Sequence, residues 1–147
     1  MLAVYQRTGE LSRGLLPESQ IILETLESDS PLSTKELKRF TDLQGKENEA
    51  AYNRATKELF SRLLVVAFGE VDDGSFPSLA IGATRLIYED LWNEALEMDP
   101  NRAETVIDKY MPAGSLFRKQ FEKTKAVLAE SAKFPFTRDQ DSFRFTD

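Results

Sequence analysis

Apolar residues along this chain recur mostly at intervals of three and four, the spacing that gathers them on one side of a helix. Between Leu15 and Leu26 they fall at Ile21, Ile22 and Leu26, with Pro17 where a fixed φ suits a first helical turn. Asp29-Ser30-Pro31 ends that helix, and Pro31-Leu32-Ser33 has the length of a small strand. Ser33 and Glu36 stand three apart as a capping box, opening a short helix with Leu37 and Phe40 inward. Asp42-Leu43-Gln44-Gly45 reads as a turn in which Gly45 supplies the left-handed residue. A longer helix follows from about Glu47 to Leu63, with Ala51, Tyr52, Ala55, Leu59 and Leu63 inward. Its outward positions are Asn48, Glu49, Asn53, Arg54, Thr56, Lys57 and Ser61.

The period then shortens. Leu64 to Gly69 is β-branched and aromatic, Leu79-Ala80-Ile81 is a second apolar run, and Asp73-Gly74 between them is a hairpin signal. Helical spacing returns over Thr84–Met98, where Leu86, Ile87, Leu91 and Leu96 are apolar and Tyr88 and Trp92 read as core aromatics. Asp99-Pro100 interrupts it before a helix from Asn101 to about Tyr110. Pro112-Ala113-Gly114 precedes a last helix, Ser115–Ala132, whose Phe117, Phe121, Thr124 and Leu128 share one face. The fold expected is mainly α with a small β-hairpin (α+β). It is a winged helix-turn-helix over 15–112, preceded by an N-terminal segment 1–14 and followed by a C-terminal helix and docked tail, 113–147. The tail's Phe134-Pro135-Phe136 and Phe143-Arg144-Phe145 are expected to lie in an apolar groove.

Composition narrows the chemistry. The 147 residues contain no cysteine and no histidine, so disulfides, thiolate catalysis and the commonest general base and metal ligand are unavailable. Neither a metal nor a cofactor is expected. No apolar run approaches the roughly 20 residues needed to span a bilayer. Met1–Arg7 lacks the basic start and apolar stretch of a signal peptide, so the expected location is the cytoplasm. A net charge of −6 opposes the basic surface usual in nucleic-acid binders. The charge is uneven, however: Lys35 to Arg62 carries a net +2, and Glu70 to Asp108 a net −8.

Certain of these residues resemble a known family. Pro31-Leu32-Ser33-Thr34-Lys35-Glu36-Leu37, Gly45-Lys46-Glu47-Asn48, Leu59 and Leu64-Val65-Val66 are similar to bacterial AlkZ-like (YcaQ-like) winged-helix proteins. Phe76-Pro77-Ser78 and Thr84-Arg85-Leu86-Ile87-Tyr88-Glu89-Asp90-Leu91-Trp92 extend the similarity over roughly 15–112. The resemblance implies a winged helix. The family's larger members combine several such modules and excise alkylated or crosslinked bases from DNA, using a Gln-hydrophobic-Gln or Gln-hydrophobic-Asp motif. The nearest matches here are Gln120-Phe121-Glu122 and Asp139-Gln140-Asp141. The first lies in a packing helix and the second lacks the spacing, so a short, non-catalytic relative is expected.

If the helix beginning near Glu47 enters the major groove, Lys46, Asn48, Asn53, Arg54 and Lys57 are the candidate DNA contacts. A solvated face paired along the helix, Glu49 with Asn53 and Arg54 with Glu58, is the competing reading. Asp72 and Asp73 place acids at the hairpin tip, where a DNA-binding wing favours cations. Arg118, Lys119, Lys123 and Lys125 make a secondary basic strip on the last helix, suited to phosphate or to the acidic 70–108 surface within one chain or across a homodimer. The first expectation is a DNA-binding regulator or repair accessory, the second a protein-interaction module that has lost DNA binding. A glycosylase with unrecognised residues is the third.

Overall fold

The computed structural model describes residues 1–72 and 77–133. The Asp73-Gly74 turn, the Phe134–Phe145 tail and Asp139-Gln140-Asp141 lie outside the described residues. Among those described, eight helices accompany one small antiparallel sheet of three strands, an α+β composition dominated by helix. The chain divides into two units, residues 15–97 and residues 1–14 with 98–147.

The 15–97 unit begins with helices α2 (Pro17–Ser28), α3 (Thr34–Phe40) and α4 (Lys46–Ser61), with the two-residue strand β1 (Leu32–Ser33) between α2 and α3. Strands β2 (Val65–Asp72) and β3 (Pro77–Ala83) follow, then short α5 (Thr84–Ile87) and α6 (Glu89–Glu97). The sheet order is β1-β3-β2, with Leu32 opposite Ile81 and Val65 opposite Ala83. An irregularity between Ala67 and Glu70 places an extra residue in β2 and carries Phe68 outward.

Ile22, Leu23 and Leu26 of α2, Leu37 of α3, and Tyr52, Ala55 and Leu59 of α4 close over Leu32, Val65 and Ile81 of the sheet, all buried. Two polar ties fix α2 to α4: Ser19 donates to the Ala55 carbonyl (3.2 Å), and the Leu16 N–H donates to Glu58 (2.9 Å). Burial disfavours the Arg62 charge and lowers its pKa, a shift opposed by Glu58 4.0 Å away. Ser33 caps α3 by accepting the Glu36 N–H at 3.0 Å.

Several expectations are corrected here. Phe40 is 54% exposed, not inward, because α3 ends at that residue and only Leu37 reaches the core. Gly45 has the positive φ expected of it (91°), but the residue that ends α3 in left-handed backbone is Asp42 (φ 58). Its N–H bonds the Arg39 carbonyl while the Leu43 N–H reaches that of Lys38 (2.9 Å), a Schellman ending. The helix expected over 84–98 breaks at Tyr88 (φ −122, ψ 52), and Tyr88 is exposed with its ring edge-on to Phe68 at 6.5 Å. Trp92 is only half-buried, so neither aromatic is a core residue.

In the second unit, helices α1 (Leu2–Thr8), α7 (Pro100–Tyr110) and α8 (Leu116–Lys133) pack through Val4, Tyr5, Ala103, Ile107, Phe121 and Leu128. The Tyr5 and Phe121 rings stack at 5.5 Å. Phe117, expected on the same buried face, is 79% exposed because packing begins one turn further along α8. No described helix is long and apolar enough to cross a membrane.

Candidate nucleic-acid interface

The α4 surface is set by how the helix starts. Gly45 caps it with φ 91 and ψ 159, and a Cβ at that position would lie 2.7 Å from both carboxylate oxygens of Glu47. The Glu47 side chain therefore folds back over the helix start, where unpaired N–H groups favour negative charge. Asn48 is half-buried and donates its amide to the Gln44 carbonyl at 2.8 Å, so it braces the turn. Among the candidate DNA contacts it alone is committed to a backbone partner.

The remaining four candidates, Lys46, Asn53, Arg54 and Lys57, are exposed. At 100° per residue, positions 46, 50, 53 and 57 lie opposite the buried Tyr52, Ala55 and Leu59, with Arg54 flanking them. Ala50 keeps the middle of this face low. From Lys46 to Lys57 the face extends about 16 Å at 1.5 Å per residue. Among the described residues no ion pair engages Lys46, Arg54 or Lys57. The Arg54–Glu58 pair expected from spacing does not form, because Glu58 is turned toward the Leu16 N–H and Arg62.

Sequence reasoning counted the α3 cations without giving them a role. Lys38 lies over the Tyr52 ring (4.7 Å to its centroid), which brings α3 against α4. Lys35 and Arg39, one turn apart and exposed, add positive charge to α3. The signal available was their i,i+4 spacing around the inward Leu37. Arg39 also rests 5.1 Å from the Phe40 ring.

The α8 strip divides. Arg118 binds Asp108 (2.9 Å) and Glu122 (3.0 Å), which hold its pKa above the ordinary value, and Lys125 lies 3.5 Å from Glu104. These two cations serve as struts between α7 and α8. Lys119 and Lys123 are exposed and enter no ion pair among the described residues. In Gln120-Phe121-Glu122 the phenyl ring is buried, Gln120 donates to Thr124 at 3.4 Å, and Glu122 accepts from Arg118. The flanking polar groups are thus spent on helix neighbours and do not converge on a common point.

A family model described as AlkZ related matches residues 4–124, more than four fifths of the chain. The chain belongs to the AlkZ-related family. No curated protein and no solved structure matches it. The AlkZ-related match is wider than the similarity over 15–112. It runs from α1 through the first half of α8 and so takes in residues of both units.

Proposed function

We propose that residues 15–97 are a winged helix-turn-helix and that this member of the AlkZ-related family binds duplex DNA without acting on it, as a regulator or repair accessory. The order α2-β1-α3-α4-β2-β3, with β3 central in the sheet, supports the fold reading. One observation carries the DNA reading: α4 presents Lys46, Asn53, Arg54 and Lys57 on its solvent side, without internal ion pairs for the cations. A helix of 16 residues fits the major groove. The three cations would meet phosphate oxygens, and the Asn53 amide would meet a base edge. Lys35 and Arg39 would extend the phosphate contact from α3.

The test is a titration of the intact protein against duplex DNA at several salt concentrations. Affinity should fall steeply with salt, and Lys57→Glu should reduce the slope of log K against log salt by about 1. Binding that ignores salt, or that Lys57→Glu leaves unchanged, removes α4 from the interface. Base release from alkylated DNA would overturn the non-enzymatic reading.

A second reading, a protein-interaction module that has lost DNA binding, is favoured by the unit's own charge. Residues 15–97 carry eight Lys and Arg against sixteen Asp and Glu, a net −8. Absence of binding to any duplex at low salt would decide for it.

A further inference from the structure

Two side chains on the α4 surface have a chemistry that phosphate contact does not use. Glu49 and Asn53 are exposed, one turn apart, and separated by about 40° around the helix. The Glu49–Asn53 pair expected from spacing does not form. Neither side chain has a hydrogen bond or ion pair among the described residues. With Lys46, Lys57 and Ala50 they occupy one arc of about 100°, on which Ala50 projects only a methyl group. The helix can therefore come close to whatever lies beneath that arc.

Charge makes such contacts necessary. The exposed cations of α3 and α4 are Lys35, Arg39, Lys46, Arg54 and Lys57, in a unit whose net charge is −8. If each meets one phosphate, log K falls against log salt with a slope no steeper than about −4.5. The unit's overall charge repels the duplex at longer range. Attachment to arbitrary duplex is weak on these terms, and base edges are the remaining source of affinity.

An amide presents a donor beside an acceptor and matches the N6 amino group and N7 of adenine. A carboxylate only accepts, and it matches the N4 amino group of cytosine. Guanine O6 and N7 repel the same carboxylate, so Glu49 rejects as well as selects. We infer, on the strength of the DNA reading above, that α4 reads sequence, with Asn53 on an adenine and Glu49 on a cytosine. Four residues rise about 6 Å along a helix, so the two bases lie within about two base-pair steps of about 3.4 Å.

Enrichment of a random duplex pool on the intact protein at low salt, followed by sequencing, tests this assignment. The expected motif contains an adenine and a cytosine at that separation. Replacing either base should weaken binding roughly 5- to 150-fold in an anisotropy competition. Asn53→Ala should lose the preference for adenine alone. Glu49→Gln gives the decisive arm: glutamine adds a donor beside the acceptor, so the preferred base there should change from cytosine to adenine. Both variants should keep the circular-dichroism spectrum, since both positions are exposed. Salt-dependent binding without base preference overturns the sequence reading and leaves phosphate contact by α4 standing. A preference that either variant leaves unaltered does the same. Absence of binding to any duplex at low salt overturns both readings.

Discussion

Asp42 and Leu63 hold left-handed backbone (φ 58 and 61) at the residue following the C-cap of α3 and of α4 respectively. The conformation lets the next N–H turn back to the helix, as Leu43 does to Lys38 and Leu64 to Leu59. A side chain there costs roughly 1–2 kcal/mol relative to glycine, somewhat less for aspartate. Asp42 is exposed, so Asp42→Gly should raise stability by about 0.5–1 kcal/mol, read as a higher urea midpoint with unchanged m-value. Tyr52 tests a different cost. Its hydroxyl is buried without a hydrogen bond of normal geometry. Burial pushes its pKa above the ordinary 10.0, and the nearby Thr34 hydroxyl offsets the rise only in part. The folded chain therefore keeps this proton while the unfolded chain loses it. Stability is intact below pH 10 and falls above it, by up to about 1.4 kcal/mol per pH unit for one proton. Tyr52→Phe should leave stability at pH 7 unchanged or slightly higher and flatten that alkaline loss, as measured by urea unfolding near pH 9 and pH 11.

At the scale of elements, close approach decides what a substitution costs. A Cβ on Gly82 of β3 would fall 2.5 Å from Cγ1 of Ile87, so α5 can lie against the sheet only because residue 82 has no side chain. Gly82→Ala should cost about 1–3 kcal/mol by displacing α5 from β3, seen as a lower melting temperature. The helices, the capping serine and the antiparallel hairpin were legible because each follows from local periodicity or a local hydrogen bond. What failed were inferences from polarity to burial. Phe40, Tyr88 and Phe117 read as core residues from their spacing or aromaticity, yet each lies at a helix end and is exposed. The missed helix is α1: seven residues are too few for a periodic signal, and Tyr5 is explained only by Phe121, far along the chain. In the candidate site, the outward positions of Lys46, Asn53, Arg54 and Lys57 were legible. The diversion of Asn48 to Gln44 and of Glu58 to Leu16 was not, since both depend on contacts outside simple helix spacing.

For the molecule as a whole, charge is partitioned along with structure. Residues 15–97 hold the entire acidic excess, whereas 1–14 with 98–147 carry a net +2. The latter unit depends on the Tyr5–Phe121 stack. Phe121→Ala should destabilise it by about 3–5 kcal/mol, and amide exchange in α1, α7 and α8 should accelerate roughly a hundredfold or more. That stack also imposes a timetable on the growing chain. Tyr5 leaves the ribosome long before its partner exists, and at about 5–20 residues per second the wait for Phe121 lasts roughly 6–23 seconds. Every residue from 15 to 97 is translated within that interval, so the inserted unit has its full complement of contacts first. Ala3, Val4 and Tyr5 of α1 meanwhile await the α7 and α8 surfaces against which they are buried in the folded unit.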